Sequence, residues 1–163
     1  MPAVLEEPLT DLSRWRPDHC SIAKALDIVG TRSAILILRE AYYGTTRFDG
    51  FASRVGITEA VAAKQLRKLT EAGLLAKRPY RLEGQRTRNE YVLTDMGRDL
   101  LPAVIALMQW GDKYLQENGS PLLLVENGTE SPVRAQLRSD VGNEVELEQL
   151  RLRLNPQWRR PRN

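Results

Sequence analysis

The feature that most constrains the fold is the tight turn between Val55 and Thr58, which joins two amphipathic segments. The upstream segment has apolar residues at helical spacing, namely Phe48, Phe51, Ala52 and Val55. Gly56 ends it, Thr58 is a plausible N-cap for the next helix, and Gly73 is the expected C-terminal cap of that helix. Its inner stripe is Ala62, Leu66 and Leu69. Two helices joined by so short a turn cross steeply, which is typical of a helix-turn-helix motif.

The elements on either side complete the order of a winged helix-turn-helix. Before the turn, residues 19–29 have a helical period that Gly30 ends, and residues 34–43 are apolar almost all round, which predicts a buried central helix. After it, residues 74–78 and 89–93 predict two strands around a polar loop. A long helix then runs from Thr94 to about residue 117, and Pro102 should kink or restart it. We therefore predict a mainly α fold with small β structure.

Four segments follow from changes in period and composition. Residues 1–18 form an N-terminal arm interrupted by prolines, and residues 19–118 form the winged helix-turn-helix with its dimerisation helices. Residues 119–155 predict a small antiparallel β appendage, because apolar and polar residues alternate at its end. The alternating apolar residues are Leu150, Leu152 and Leu154. Residues 156–163 form a basic tail.

Composition excludes several classes of protein. A single cysteine rules out an internal disulfide framework, and one cysteine with one histidine argues against a zinc site. No apolar run is long enough to span a membrane, and the N-terminus lacks the features of a secretory signal, so we expect a cytoplasmic protein. Paired carboxylates at helical spacing, a metal cluster and a phosphate-cradling glycine loop are all absent from the sequence, so we expect neither an enzyme nor a cofactor.

The location of charge points to double-stranded DNA as the partner. The net charge is only 24 − 21 = +3, but residues 58–88 hold eight basic and three acidic side chains, a balance of +5. A recognition helix over about residues 58–72 would enter the major groove, and a basic wing over about residues 80–89 would contact the backbone or the minor groove. The candidate DNA-binding residues are Thr58, Glu59, Ala60, Ala63, Lys64, Arg67, Arg81, Gln85, Arg86 and Arg88. The alternative is an ordinary amphipathic surface helix beside a solvated turn.

Several motifs together carry a family resemblance. They are Cys20 ahead of "ALDIVG", then "ILILREAYYG" followed by "RF", then "LRKLTEAGLL", "EYVLTDMGRDLLP" and the pair Trp110-Gly111. In this order and spacing, residues 20–115 resemble the HxlR-type winged helix-turn-helix transcriptional regulators of bacteria. The resemblance implies a homodimer in which helices 19–29 and 95–117 pair across a two-fold axis. The apolar character of the long helix on two faces independently favours such a dimer.

The chain departs from the family pattern in two places. Many members have a lysine-tryptophan pair at the start of the central helix, where this chain has Arg32 and Ser33. Arg32 keeps the charge, whereas Ser33 lacks a large ring to pack. The wing, "RLEGQRTRNEY", is longer than the shortest family versions, which leaves the placement of its DNA contacts open.

Three other functions remain open from the sequence. By the resemblance, Cys20 could sense oxidants or electrophiles, and the alternative is an inert thiol buried near the dimer interface. Four aromatic residues could line a cavity for a small-molecule effector at the dimer interface, or could simply be core. They are Tyr42, Tyr43, Trp110 and Tyr114. The winged domain could also be a protein-interaction module, with the appendage as its binding surface.

Overall fold

The computed structural model describes residues 4–11, 19–81, 84 and 86–158. The chain forms two compact units, one comprising Lys24–Ala135 and the other the segments before and after it. The helices are α1 (Ser21–Val29), α2 (Arg32–Tyr42), α3 (Phe48–Val55), α4 (Glu59–Glu71), α5 (Asp95–Asp99) and α6 (Leu101–Leu115). The strands are β1 (Val4–Leu5), β2 (Leu75–Tyr80), β3 (Arg88–Leu93) and β4 (Arg151–Leu152), and Leu147–Gln149 is a short 3-10 helix. No helix in the described ranges is long and apolar enough to cross a membrane.

The helix starts follow the predicted capping chemistry. The Thr58 hydroxyl accepts a hydrogen bond from the Val61 N–H at 3.3 Å, and Thr94 does the same for Gly97 at 3.1 Å. Gly56 lies between α3 and α4 in a left-handed conformation, with φ of +69°, which glycine adopts without strain. The predicted helix-turn-helix is therefore confirmed in its boundaries.

The core of Lys24–Ala135 is built around α2, as the apolar run in the sequence predicts. Ile37 and Leu38 of α2 are fully buried, as are Phe51 of α3 and Leu66 and Leu69 of α4. Each such side chain contributes about 1.5–3 kcal/mol by leaving water, so the three helices are held in one rigid arrangement. That arrangement fixes the angle at which α4 projects from the unit.

The wing is a two-stranded antiparallel sheet in which Leu75 pairs with Leu93 and Tyr80 with Arg88. β2 ends two residues later than predicted and β3 begins one residue earlier, so Arg88 lies on a strand opposite Tyr80. An ion pair joins the two strands, because Arg78 Nε lies 2.7 Å from Glu90 Oε1. Cross-strand charge pairs of this kind stabilise antiparallel ladders.

The long C-terminal helix is interrupted near Pro102, as predicted. The chain forms α5, breaks at Leu100, and restarts as α6 with the proline in its first turn, where a missing N–H costs nothing. Val104 is the buried residue of α6, whereas Leu107 and Tyr114 are more than half exposed in the single chain.

The segments outside the helical domain differ from the predicted antiparallel appendage. Between residues 119 and 146, the predicted antiparallel appendage contains only the isolated bridges Val125–Pro132 and Arg138–Glu144. The alternating stretch near residue 150 is the two-residue β4, which pairs in parallel with β1 of the N-terminal arm, placing Val4 opposite Arg151. Alternation identifies a strand but not its partner, so the sequence did not reveal this pairing.

Candidate nucleic-acid interface

Helix α4 has one buried and one exposed side, as a recognition helix requires. Its inner stripe of Ala62, Leu66 and Leu69 is completely buried. All six predicted contact residues on this helix are exposed, namely Thr58, Glu59, Ala60, Ala63, Lys64 and Arg67. The last four follow the spacing i, i+3, i+4 and i+7, so they form one face. The two alanines leave room for a groove surface to approach closely, and the two cations lie beside them.

The orientation of α4 depends on polar contacts as well as on the apolar core. The Lys68 ammonium donates a hydrogen bond to the backbone carbonyl of Asp27, which ties α4 to α1. Gln65 is also buried, and its Oε1 has no hydrogen-bond partner within the described residues. Because the Lys68 ammonium is held by the Asp27 carbonyl, the cations of the exposed face of α4 are Lys64 and Arg67.

The wing, which belongs to the same compact unit as α4, carries further cations. Arg81, Arg86 and Arg88 are exposed, whereas the predicted contact residue Gln85 lies outside the described residues. The charge of Arg78 is offset by Glu90. The Arg78 and Thr46 hydrogen bonds lower the pKa of the Glu90 carboxyl below its ordinary value, so this carboxylate is charged at neutral pH.

Sequence reasoning missed one exposed arginine near the wing. The Arg47 guanidinium lies 5.2 Å from the centroid of the Tyr80 ring, within range of a cation–π contact at the end of β2. Within the described residues, no ion pair involves Arg47, Lys64, Arg67, Arg86 or Arg88. The sequence signal that could have pointed to Arg47 was its position as a basic residue directly before Phe48, the first residue of α3.

A buried carboxylate connects α2 to α3 and was also missed. Glu40 is only 3% exposed, and its two oxygens accept hydrogen bonds from Arg54 Nε at 2.6 Å and Arg39 Nη2 at 2.7 Å. The Thr45 hydroxyl donates at 3.3 Å. Burial raises the pKa of Glu40, but the hydrogen bonds and the positive charges of Arg54 and Arg39 together outweigh burial, and the pKa lies below its ordinary value. This ion-pair cluster (Glu40, Arg39 and Arg54) fixes α3, and therefore the turn that leads into α4.

The predicted sensor and pocket residues are only partly brought together. Cys20 is exposed in the single chain. Tyr42 and Tyr43 line a cavity between α2 and α6, and the Tyr42 hydroxyl donates to the Gly97 carbonyl at 2.6 Å. Trp110 and Tyr114 are not among the cavity walls. The centroids of their two rings lie 5.7 Å apart, and both residues are more than half exposed.

Comparisons with known proteins agree with this geometry. The sequence profile of the HxlR-like helix-turn-helix family matches residues 28–119. An HTH-type transcriptional regulator of Mycobacterium bovis is 44% identical over 117 residues, which cover 71% of this chain and 72% of the relative. A regulator of the same type from Bacillus subtilis, YdeP, is 31% identical over 60% of this chain and 75% of its own length.

Solved structures extend the likeness to the fold. The crystal structure of PA1607, described as a candidate transcription factor, matches with a TM-score of 0.74 and 34% identity, covering 84% of this chain and 96% of that one. The oxidised form of the redox regulator HypR matches with a TM-score of 0.54 and 28% identity, covering 60% and 99% respectively. The names of these relatives describe transcriptional regulators or transcription factors. This chain therefore belongs to the HxlR-like helix-turn-helix family of transcriptional regulators.

Proposed function

We propose that the protein is a cytoplasmic, sequence-specific DNA-binding regulator that acts as a homodimer. The observation that carries the proposal is the exposed face of α4 (Ala60, Ala63, Lys64 and Arg67), which presents two small residues and two cations that form no ion pair within the described residues. An α-helix of this kind fits the major groove, which is about 12 Å wide. The arginines of the wing would then contact phosphates or the adjacent minor groove.

Two further features of α4 and the wing suit phosphate contacts. Thr58 is the exposed N-cap of α4, at the end of the helix where backbone N–H groups favour an anion. Arg81, Arg86 and Arg88 surround a loop that carries Gly84 in a left-handed conformation, with φ of +73°. Guanidinium groups there can neutralise phosphates without a specific base sequence.

Dimerisation is supported by apolar side chains that the single chain leaves in water. Leu107, Trp110 and Tyr114 lie at spacing i, i+3 and i+7 on α6, and each is more than half exposed. On α1, Ile22 and Leu26 are exposed to a similar degree. A contiguous exposed apolar stripe on a helix is typical of an interface, and a two-fold axis would bury the stripe of α6 in both subunits.

The salt dependence of DNA affinity tests whether the wing contacts phosphates. Fluorescence anisotropy with a labelled random duplex gives the slope of log affinity against log salt for the native protein and for the double variant Arg86→Ala, Arg88→Ala. Each lost phosphate contact flattens the slope by about 0.9. We expect a flattening of about one or two units, rising to about 3.6 if all four arginines of a dimer contact phosphates.

A matched control removes the same charge elsewhere. Arg134 and Arg138 are exposed and lie outside the helix-turn-helix and wing, so Arg134→Ala, Arg138→Ala should keep the native slope. If both double variants behave like the native protein, the wing makes no DNA contact. If the native protein binds no duplex even at low salt, a protein-interaction module becomes the better account.

A second candidate function is a thiol-responsive switch. Cys20 is exposed directly before α1, and the solved relative HypR is a redox regulator. A thiolate at this position could form a disulfide with the partner subunit or with a small thiol. Release of DNA by a mild oxidant such as diamide should then disappear in Cys20→Ser. Identical release in the variant would rule out Cys20 as the sensor.

A further inference from the structure

Tyr80, the last residue of β2, lies beside two arginines at the loop end of the wing. The Arg47 guanidinium carbon is 5.2 Å from the centroid of the Tyr80 ring, and Arg88 is paired directly with Tyr80 across the sheet. Directly paired residues have their side chains on the same face, with Cβ atoms about 4.5–5.5 Å apart. Arg47 and Arg88 are exposed, whereas Tyr80 is half-buried. The wing therefore carries a Tyr80 cluster (Arg47, Tyr80 and Arg88), in which two cations lie beside one aromatic ring.

Arg47 is an unfavourable residue for the start of a helix. It is the N-cap of α3, and its side chain has no acceptor with which to cap the N–H groups of the first turn. Threonine caps these groups at the start of α2 and of α4. The helix dipole is positive at this end, so it suits Asp49 in the first turn but not Arg47. Arg47 therefore lowers the local stability of α3, which indicates that its charge acts elsewhere.

The backbone before α3 directs Arg47 toward the wing. The Tyr91 N–H of β3 donates to the Thr46 carbonyl at 2.7 Å, so this segment lies along the edge of β3 that β2 leaves free. From there the Arg47 side chain extends over the sheet to Tyr80 on β2. A guanidinium held over a ring keeps its N–H donors free for an acceptor. The ring therefore holds the cation in place without using its hydrogen bonds.

The cations near Tyr80 outnumber the carboxylates. Glu90 accepts a hydrogen bond from Arg78 at 2.7 Å. The Arg78 and Thr46 hydrogen bonds lower the pKa of Glu90 most, and the charge of Arg47 lowers it further. Neither Arg47 nor Arg88 forms an ion pair within the described residues. Three arginines therefore share one carboxylate, and this part of the wing has an excess of positive charge.

A DNA backbone fits these cations in chemistry and in location. The planar fork of a guanidinium matches two oxygens of a phosphate. In helix-turn-helix proteins the first helix crosses the backbone while the second lies in the major groove. Arg47 is at the start of the first helix, α3, about 12 Å along its axis from the turn into α4. Arg47 would therefore meet a phosphate that the start of α4 does not reach.

We propose that Arg47 and Arg88 each bind a phosphate of the DNA backbone, and that Tyr80 positions the Arg47 guanidinium for this contact. Tyr80 is a positioning residue, because it acts through Arg47 rather than on the DNA. Both contacts belong to the DNA interface proposed above and rest on that function. Phosphates are the same in every sequence, so the Tyr80 cluster raises affinity for all duplexes and adds no base preference.

The contribution of Arg47 is measured by the salt dependence of affinity for a labelled random duplex, using the full chain. Arg47→Ala should flatten the slope of log affinity against log salt by about 0.9 for each subunit, or about 1.8 for a dimer. Arg47→Lys keeps the charge and should keep the native slope. Arg134→Ala removes one exposed arginine outside the helix-turn-helix and the wing, and should also keep it.

A double-mutant cycle tests the role of Tyr80. Tyr80→Leu removes the ring and should weaken DNA binding by about twofold to fivefold per subunit, whereas Tyr80→Phe keeps the ring and should bind like the native protein. In the Arg47→Ala background, Tyr80→Leu should have no further effect, because the ring acts through Arg47. Equal weakening in both backgrounds would show that Tyr80 supports the wing only, and would overturn its positioning role.

The outcomes separate this contact from the proposed function as a whole. Circular dichroism and Tm identify variants that fail to fold. A native slope in folded Arg47→Ala, with a flattened slope in the Arg86→Ala, Arg88→Ala variant, overturns the Arg47 contact and leaves the proposed function standing. Altered base preference in Arg47→Ala, instead of uniform weakening, also overturns the phosphate assignment. A native protein that binds no duplex at low salt overturns both.

Discussion

Replacing Glu40 by glutamine tests whether the buried ion-pair cluster holds α2 and α3 together. The substitution keeps the size of the side chain and removes the charge that Arg39 and Arg54 share. Removing one partner of a fully buried ion pair costs about 3–5 kcal/mol. Here the Arg54 and Arg39 side chains are 59% and 36% exposed, so water can solvate them, and we expect a loss of about 1–2 kcal/mol.

Urea unfolding measures this loss. With a slope of about 1–3 kcal/mol per molar urea, a loss of about 1–2 kcal/mol should lower the midpoint of Glu40→Gln by about 0.3–2 M. Glu117→Gln removes an exposed carboxylate and should leave the midpoint unchanged. Equal midpoints for the two variants at neutral pH would refute the assigned role of Glu40.

The effect of Glu40→Gln on the free energy of unfolding should depend on pH. The folded pKa of Glu40 lies below the ordinary value of 4.5, so its contribution to stability is fully present above that pH. The contribution is lost as the pH falls through the folded pKa, because protonation removes the charge from the cluster. The stability difference between native and Glu40→Gln proteins should therefore shrink in acid. A difference that stays constant from neutral pH to below the folded pKa would contradict this cause.

Three further predictions concern the fold and the dimer. Gly97→Ala should lower the free energy of unfolding by at least about 2 kcal/mol, and the Tm with it. The reason is that the added Cβ would lie 2.2 Å from the Leu74 carbonyl oxygen. Unchanged thermal unfolding would contradict this close packing. Thr58→Ala should cost about 1 kcal/mol in urea by removing the N-cap of α4, and Thr58→Ser should restore most of it. Trp110→Glu should give a monomer by analytical ultracentrifugation if α6 forms the interface, and a persistent dimer would move the interface elsewhere.

The helix-turn-helix was predictable because its determinants are local. The N-caps, Gly56 and the inner stripe of α4 lie within a few residues of the structures they specify, so spacing alone reveals them. The outward face of α4 follows from that stripe, because a helix with one buried side has its opposite side in water. The exposure of Lys64 and Arg67 was therefore accessible from the sequence.

Features that depend on distant partners were not predictable in the same way. The parallel pairing of β1 with β4 joins opposite ends of the chain. The burial of Glu40 depends on Arg54 in the next helix, and a charged residue in an apolar run can be either exposed or paired.

Selection of binding sites from a random duplex pool, at stated salt, tests the central claim most directly. The native protein should enrich sites with two related half-sites in two-fold symmetry, their centres about 34 Å apart along the duplex. Under the same conditions, Lys64→Ala or Arg67→Ala should change the preferred bases, whereas the wing variant should weaken binding to all sequences. Enrichment of no sequence by the native protein, or one identical site for the native protein and both α4 variants, would contradict the assignment of α4 as the recognition helix.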